Sequence, residues 1–109
     1  MKAYILTKHG KPTVLQQTEI PVPSLGPDQV CVNIECIGLN YAEIMARKGF
    51  YGWAPKMPYT LGMEAYGTIE EVGGNVSDRK VGDQVIIGTQ FGCYAEKFVG
   101  HWQATAPAI

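Results

Sequence analysis

Short runs of alternating apolar and polar residues, separated by glycine and proline, make up most of the chain. Such alternation is typical of β-strands that bury one face, because successive side chains point to opposite sides of a strand. It predicts strands at residues 2–7, 14–20, 29–39, 65–72, 84–87 and 91–99. The turn Gly10-Lys11-Pro12 joins the first two and predicts a hairpin. The pattern therefore predicts a mostly β fold.

The longest predicted strand, residues 29–39, has a regular alternation of apolar side chains. Val30, Val32, Ile34 and Cys36 share one face by the two-residue period of a strand, and Cys31 falls on the other. The alternation therefore predicts that Cys36 lies in the core.

One helix is predicted directly after this strand. Asn40 can cap its first turn, with Glu43 three residues later in the spacing of a capping box, and Gly49 ends it. Residues on one face of this helix are Tyr41, Ile44, Met45 and Lys48. Residues 50–60 are rich in aromatic side chains and proline, which predicts a loop rather than an interior strand.

Length and charge restrict the possible functions. The chain has 109 residues, 46% of them apolar, and a net charge of -1, which predicts one domain over residues 1–109. No run of like charge supports nucleic-acid binding. No segment approaches the roughly 20 apolar residues of a transmembrane span, and no signal-peptide core is present. We expect a cytoplasmic protein with no transmembrane segment, and peripheral membrane contact stays open.

The three cysteines, Cys31, Cys36 and Cys93, are odd in number and form no Cys-x-x-Cys pair. Reduced structural thiols are therefore predicted in preference to a redox pair or a zinc cluster.

Four segments in register extend over nearly the whole chain: 37–43 (IGLNYAE), 47–51 (RKGFY), 61–67 (LGMEAYG) and 81–85 (VGDQV). Together they resemble the medium-chain dehydrogenase/reductase superfamily, and within it the zinc-free quinone oxidoreductase (zeta-crystallin) branch. The run VSDRK at 76–80 is similar to the synaptic vesicle amine transport protein group. The resemblance implies a GroES-like, partly open β-barrel with one or two short helices.

In this superfamily the barrel packs beside a Rossmann domain that binds the dinucleotide. A Rossmann unit needs a strand, a glycine-rich turn and a helix in succession. The glycines of Gly62-Met63-Glu64-Ala65-Tyr66-Gly67 have the wrong spacing, and a strand follows them. The resemblance therefore implies the N-terminal part of a longer two-domain oxidoreductase, with NADPH bound mainly by the missing domain and no activity in the isolated chain.

Zinc enzymes of the superfamily hold their catalytic ion with a cysteine and a histidine. The resemblance places Asn40 and Met63 at those positions, and an amide and a thioether are poor zinc ligands. Glu64 cannot form a site alone, and Cys93 is the sole cysteine where the four-cysteine structural lobe would lie. No zinc is therefore expected.

Without a metal, hydrogen bonds must stabilise the oxyanion that develops on the substrate. The resemblance places Asn40 and Tyr51 in the cleft as donors, whereas the residues alone also allow a helix cap and an ordinary loop aromatic. Met45 stands where several relatives have a second pocket tyrosine, so the pocket should be more apolar here. Tyr41, which lies on the predicted helix, is a further cleft candidate.

Each of the other polar and aromatic candidates allows two interpretations. Arg47 could meet a cofactor phosphate or a quinone oxygen, or could be a solvated cation at the helix end. Glu64 fits a structural carboxylate better than a general acid. Trp53 and Tyr59 could flank the pocket or cover the barrel end. Two further residues, expected at the surface, are His9 and His101.

The sequence therefore leaves two functions open. The first is the substrate-side domain of an NADPH-dependent oxidoreductase that reduces a quinone or an α,β-unsaturated carbonyl. The second is a non-catalytic member of the vesicle amine transport group that binds lipid or protein. An apolar face near residues 40–45 and 50–60 also predicts a homodimer or loose oligomer.

Overall fold

The computed structural model describes residues 1–39, 41–49 and 57–108, except for the side chains at positions 41, 42, 45 and 46. Strands dominate the described residues, so the mostly β prediction is confirmed. The strands are β1 (Lys2–Leu6), β2 (Leu15–Glu19), β3 (Gln29–Gly38), β4 (Tyr59–Thr60), β5 (Glu64–Val72), β6 (Gln84–Gly88), β7 (Lys97–His101) and β8 (Thr105–Pro107). The helix α1 (Tyr41–Lys48) lies between β3 and β4, and two short 3-10 turns occupy Pro12–Val14 and Trp102–Ala104.

Two antiparallel sheets form a barrel that is not closed. The first sheet has the order β2-β1-β4, and the second has the order β7-β3-β5-β6-β8. The predicted hairpin is confirmed, with Lys2 opposite Glu19 and Leu6 opposite Leu15. The two-residue β4 pairs at the edge of the first sheet, which is where a proline-rich segment can still contribute a short strand.

Residues 91–96 connect the two sheets. The Tyr4 N–H donates to the Tyr94 carbonyl at 2.7 Å, and the Glu96 N–H donates to the Lys2 carbonyl at 3.0 Å. The Gly92 N–H donates to the Thr60 carbonyl of β4 at 2.9 Å, and the Ile34 N–H of β3 donates to the Glu96 carbonyl at 2.9 Å, which links the segment to the second sheet. The predicted strand 91–99 is therefore wrong in its first half. This segment divides its hydrogen bonds between several partners, and the regular strand β7 begins only at Lys97.

Apolar side chains pack into two clusters, one under each sheet. The larger cluster consists of Val30, Val32, Ala65, Ile69, Val85, Ile87, Cys93 and Phe98. The smaller cluster consists of Leu6, Val14, Tyr59 and Leu61. Cys93 lies within the segment 91–96, and the Leu61 carbonyl accepts the Tyr94 N–H of this segment at 2.7 Å, so both clusters contact the connection between the sheets.

The prediction that Cys36 lies in the core is wrong. Cys36 is exposed, whereas Cys31 is buried. The pairing of β3 with β5 shifts register between Cys31 and Val32 and again between Ile34 and Cys36. A bulge adds one residue to one strand, so the alternation of faces changes along β3 and a two-residue period fails across it.

All three cysteines are free thiols, as predicted. Burial, together with a hydrogen bond to Glu70, raises the pKa of Cys31 to about 11. Burial, with smaller contributions from Glu43 and Glu64, raises the pKa of Cys93 to about 12. Both buried thiols are therefore protonated and unreactive at neutral pH.

Candidate functional site

A cleft of about 330 Å³ lies along α1, and we call it the α1 cleft. Its described lining is mostly aliphatic, with one acid, one cation and one phenol: Leu15, Leu39, Ile44, Leu61, Glu43, Arg47 and Tyr94. The residues come from β2, α1, the turn after β4 and the segment that joins the sheets, so the cleft lies where these elements meet.

Glu43 is the buried acid of the α1 cleft, with 6% of its surface exposed. One carboxylate oxygen accepts the Met63 N–H at 3.1 Å, and the other accepts the Tyr94 hydroxyl. A buried carboxylate requires such donors, because it has lost its contact with water. Glu43 therefore ties α1 to the turn before β5 and to the segment 91–96.

Tyr94 is held at the base of the cleft by this contact. Burial, followed by the hydrogen bond to Glu43 and the negative charge of Glu43, raises the pKa of the Tyr94 phenol well above its usual value. The phenol therefore keeps its proton across the physiological range, and it acts as a donor to Glu43 rather than as an acid.

Arg47 lies one helical turn beyond Glu43. Its guanidinium donates to the Gly10 carbonyl at 2.8 Å, and its own carbonyl accepts the Gly10 N–H at 2.8 Å. These bonds fix the end of α1 on the β1–β2 connection. Arg47 also lines a second depression of about 540 Å³, which we call the cationic depression, with Gly10, Lys11, Pro12 and Lys48.

The structure does not bring Glu64 into the α1 cleft. Glu64 is exposed at the start of β5 and lies against Gly38. Together with Cys36, Tyr66 and Ile86 it lines a separate depression of about 360 Å³. Its structural role stays a prediction.

The remaining cleft candidates lie partly or wholly outside the described residues. Asn40 and Tyr51 are outside them, as is Trp53. Tyr41 and Met45 lie on α1, but only their backbone is described. At about 100° per residue, positions 41 and 45 fall on the opposite side of the helix from positions 43 and 47. Arg47, the cleft candidate on α1 whose side chain is described, lines the α1 cleft.

The surface assignment of the histidines is confirmed, since His9 and His101 are both exposed. His101 accepts the Gln103 N–H through Nδ1 at 3.1 Å. Tyr59 is buried in the smaller core cluster and packs edge-on against Phe91, with ring centroids 6.0 Å apart. It lies outside the lining of the α1 cleft.

Sequence reasoning missed the buried role of Glu43 and the contribution of Tyr94. Glu43 was interpreted only as half of a capping box, and Tyr94 as part of a strand. The two residues are 51 positions apart, and no local periodicity links them. The available signal was the position of Glu43 on a short helix, next to Ile44 and one turn before Arg47.

Neither a metal cluster nor a membrane span stands out in the part of the chain that the structure describes. There, no three His, Cys, Asp or Glu side chains group as metal ligands. No helix within those residues is long and apolar enough to cross a bilayer.

The chain is similar to a domain family, to curated VAT-1 homologues and quinone oxidoreductases, and to solved quinone oxidoreductases. The model of the alcohol dehydrogenase GroES-like domain matches residues 26–107. The synaptic vesicle membrane protein VAT-1 homolog of Danio rerio is 41% identical over 99 residues, which cover 90% of this chain and 20% of that protein. Two crystal structures of bacterial quinone oxidoreductases superpose on almost the whole chain.

The quinone oxidoreductase of Pseudomonas syringae pv. tomato has a TM-score of 0.93 at 35% identity, over 99% of this chain and 33% of its own. The Escherichia coli quinone oxidoreductase, solved with NADPH, has a TM-score of 0.94 at 29% identity, over 100% of this chain and 33% of its own. The chain thus spans a third or less of these relatives. It belongs to the alcohol dehydrogenase GroES-like domain family, with quinone oxidoreductases and VAT-1 homologues as its relatives.

Proposed function

We propose that this chain is the substrate-side domain of a zinc-independent, NADPH-dependent oxidoreductase that reduces a quinone or an α,β-unsaturated carbonyl. The observation that carries the proposal is the superposition of the whole chain on one third of the Escherichia coli quinone oxidoreductase solved with NADPH, at a TM-score of 0.94. The remaining two thirds of such an enzyme would hold the cofactor.

Two glycines of the segment 61–67 pack against neighbouring backbone. A Cβ at Gly62 would lie 2.5 Å from the Tyr94 nitrogen, and one at Gly67 would lie 2.2 Å from the Asn33 carbonyl oxygen. Both glycines therefore allow a close approach of backbone to backbone. In this proposal the cofactor phosphates are held outside this domain.

In this proposal the bound cofactor supplies a hydride to the substrate, and this chain positions the substrate oxygen. The Asn40 amide and the Tyr51 hydroxyl would donate hydrogen bonds to that oxygen as negative charge develops on it. Met45, with Tyr41 nearby on α1, would form an apolar wall beside the ring. Glu43 holds α1 in place through Met63 and Tyr94, and so would fix the helix that presents these residues.

Zinc independence rests on the chemistry of the residues at the positions where zinc enzymes of the family carry ligands. Asn40 and Met63 offer an amide and a thioether in place of a thiolate and an imidazole. In addition, the Met63 N–H is committed to Glu43 at 3.1 Å, which orients this turn toward α1.

The test is NADPH oxidation by the protein in its full natural length, with a panel of quinones and enones. We expect turnover with at least one quinone. A folded protein that binds NADPH and turns over none of them would refute the proposed function.

The second candidate is a non-catalytic protein that binds lipid or another protein. The 41% identity to the Danio rerio VAT-1 homolog favours it. Co-sedimentation with liposomes discriminates the lipid-binding form of this candidate, because a failure to bind at every lipid composition would exclude it. The cytoplasmic location and the dimeric or oligomeric state stay predictions.

A further inference from the structure

We propose that the α1 cleft and the cationic depression together form a binding site for a single-chain anionic amphiphile, such as a medium-chain carboxylate. The hydrocarbon chain would lie in the α1 cleft, and the charged head would lie in the cationic depression. This inference does not depend on the proposed redox function.

The two depressions share one lining residue, Arg47, whose guanidinium donates to the Gly10 carbonyl at 2.8 Å. The lining of the α1 cleft includes the aliphatic residues Leu15, Leu39 and Leu61. The lining of the cationic depression adds two further cations, Lys11 and Lys48.

The size of the α1 cleft suits one short hydrocarbon chain. Its volume of about 330 Å³ corresponds to roughly ten methylene-sized groups, if each takes about 30 Å³, the share of one water molecule in the liquid. Leu39 and Ile44 line the cleft and are 80% and 39% exposed. A bound chain would remove this apolar surface from water, which favours binding.

Charge determines the orientation of the ligand. The carboxylate of Glu43 lies in the α1 cleft and would repel an anionic head placed there. The cationic depression has three cations, Lys11, Arg47 and Lys48, in its described lining. The carbonyl end of α1 carries the equivalent of about half a negative charge, which leaves a clear positive excess for a carboxylate or phosphate head.

The test compares decanoate, 1-decanol and acetate by isothermal titration calorimetry against the protein in its full natural length, below the concentration at which decanoate forms micelles. We expect one saturable site for decanoate, with an affinity about tenfold or more above that for 1-decanol, because only decanoate meets the cations. Acetate, which lacks the chain, should bind more weakly still. Equal affinity for decanoate and 1-decanol, or uptake without saturation, would overturn the proposal.

Exposed residues provide the variants, so that folding is preserved. The Lys11→Gln/Lys48→Gln pair should weaken decanoate binding about tenfold and leave 1-decanol binding unchanged. The Lys2→Gln/Lys80→Gln pair makes the same change of net charge at exposed positions away from the site and should change neither. The proposal is contradicted if the two pairs have the same effect on decanoate.

Vesicles distinguish a free amphiphile from a membrane surface. Vesicles of phosphatidylcholine and phosphatidylserine are the probe, and we expect decanoate binding without co-sedimentation of the chain. Co-sedimentation that depends on Lys11 and Lys48, in a chain that does not bind decanoate, would replace the proposed site with a membrane-surface contact.

Discussion

Gly62→Ala is expected to lower the free energy of unfolding by about 3 to 5 kcal/mol, the largest effect of any single substitution considered for this chain. Gly62 has a φ of +111°, which side chains rarely adopt, and a Cβ there would lie 2.5 Å from the Tyr94 nitrogen. The same backbone makes the Tyr94 N–H bond to the Leu61 carbonyl at 2.7 Å. The alanine must therefore push apart the connection between the sheets. Urea denaturation measures the change.

Gly82→Ala is the matched control for this prediction. Gly82 also has a positive φ, of +96°, but a Cβ there meets nothing within 4 Å. Its substitution should cost only the conformational strain, about 1 to 2 kcal/mol. Equal losses in the free energy of unfolding for the two variants would show that the close approach of Gly62 to the segment 91–96 does not affect stability.

The second large effect is expected at Glu43. Glu43→Leu removes the acceptor of the Met63 N–H and of the Tyr94 hydroxyl, and leaves these two partly buried donors without that acceptor. The expected loss is about 2 to 4 kcal/mol in the free energy of unfolding, again measured with urea. Glu71→Leu, at an exposed position of β5, should change stability by about 0.5 kcal/mol or less.

A double-mutant cycle separates this contact from general damage to the core. Tyr94→Phe alone should cost about 1 to 2 kcal/mol, since it removes one donor to Glu43. In the Glu43→Leu/Tyr94→Phe variant the loss should be clearly smaller than the sum of the single losses, because both remove the same hydrogen bond. Additive losses would show that Glu43 and Tyr94 do not interact in solution.

Local patterns in the sequence predicted the elements whose cause is local. Gly10-Lys11-Pro12 interrupts two alternating runs, and the β1–β2 hairpin forms there. The helix ends at Lys48, directly before Gly49, whose φ is +90°, as the sequence position of this glycine predicted. Neither feature depends on residues distant in the sequence.

The errors arose where distant partners decide the local geometry. Cys36 lies outside the core because bulges in the pairing with β5 shift the faces of β3. Those bulges are a property of the strand pair rather than of one strand. Residues 91–96 have strand-like composition, yet β1 and the turn after β4 divide their hydrogen bonds. A period of two residues contains no information about either effect.

The candidate site was only partly predictable from the sequence, because its contacts also join residues that are far apart along the chain. The sequence allows Arg47 to be a helix-end cation or a contact for a cofactor phosphate or quinone oxygen, whereas its bond to the Gly10 carbonyl spans 37 positions and depends on the fold. Glu43 was assigned to a cap because its partners Met63 and Tyr94 are remote in sequence. The family resemblance predicted the GroES-like domain correctly, since the model of that domain matches residues 26–107.

The most direct test of the proposed function is the metal dependence of turnover. The protein in its full natural length is treated with a chelator, its zinc content is measured, and NADPH oxidation with 1,4-benzoquinone is followed before and after treatment. We expect the metal-free protein to oxidise NADPH at the same rate as the untreated protein. Loss of turnover on chelation, restored by added Zn²⁺, would contradict it.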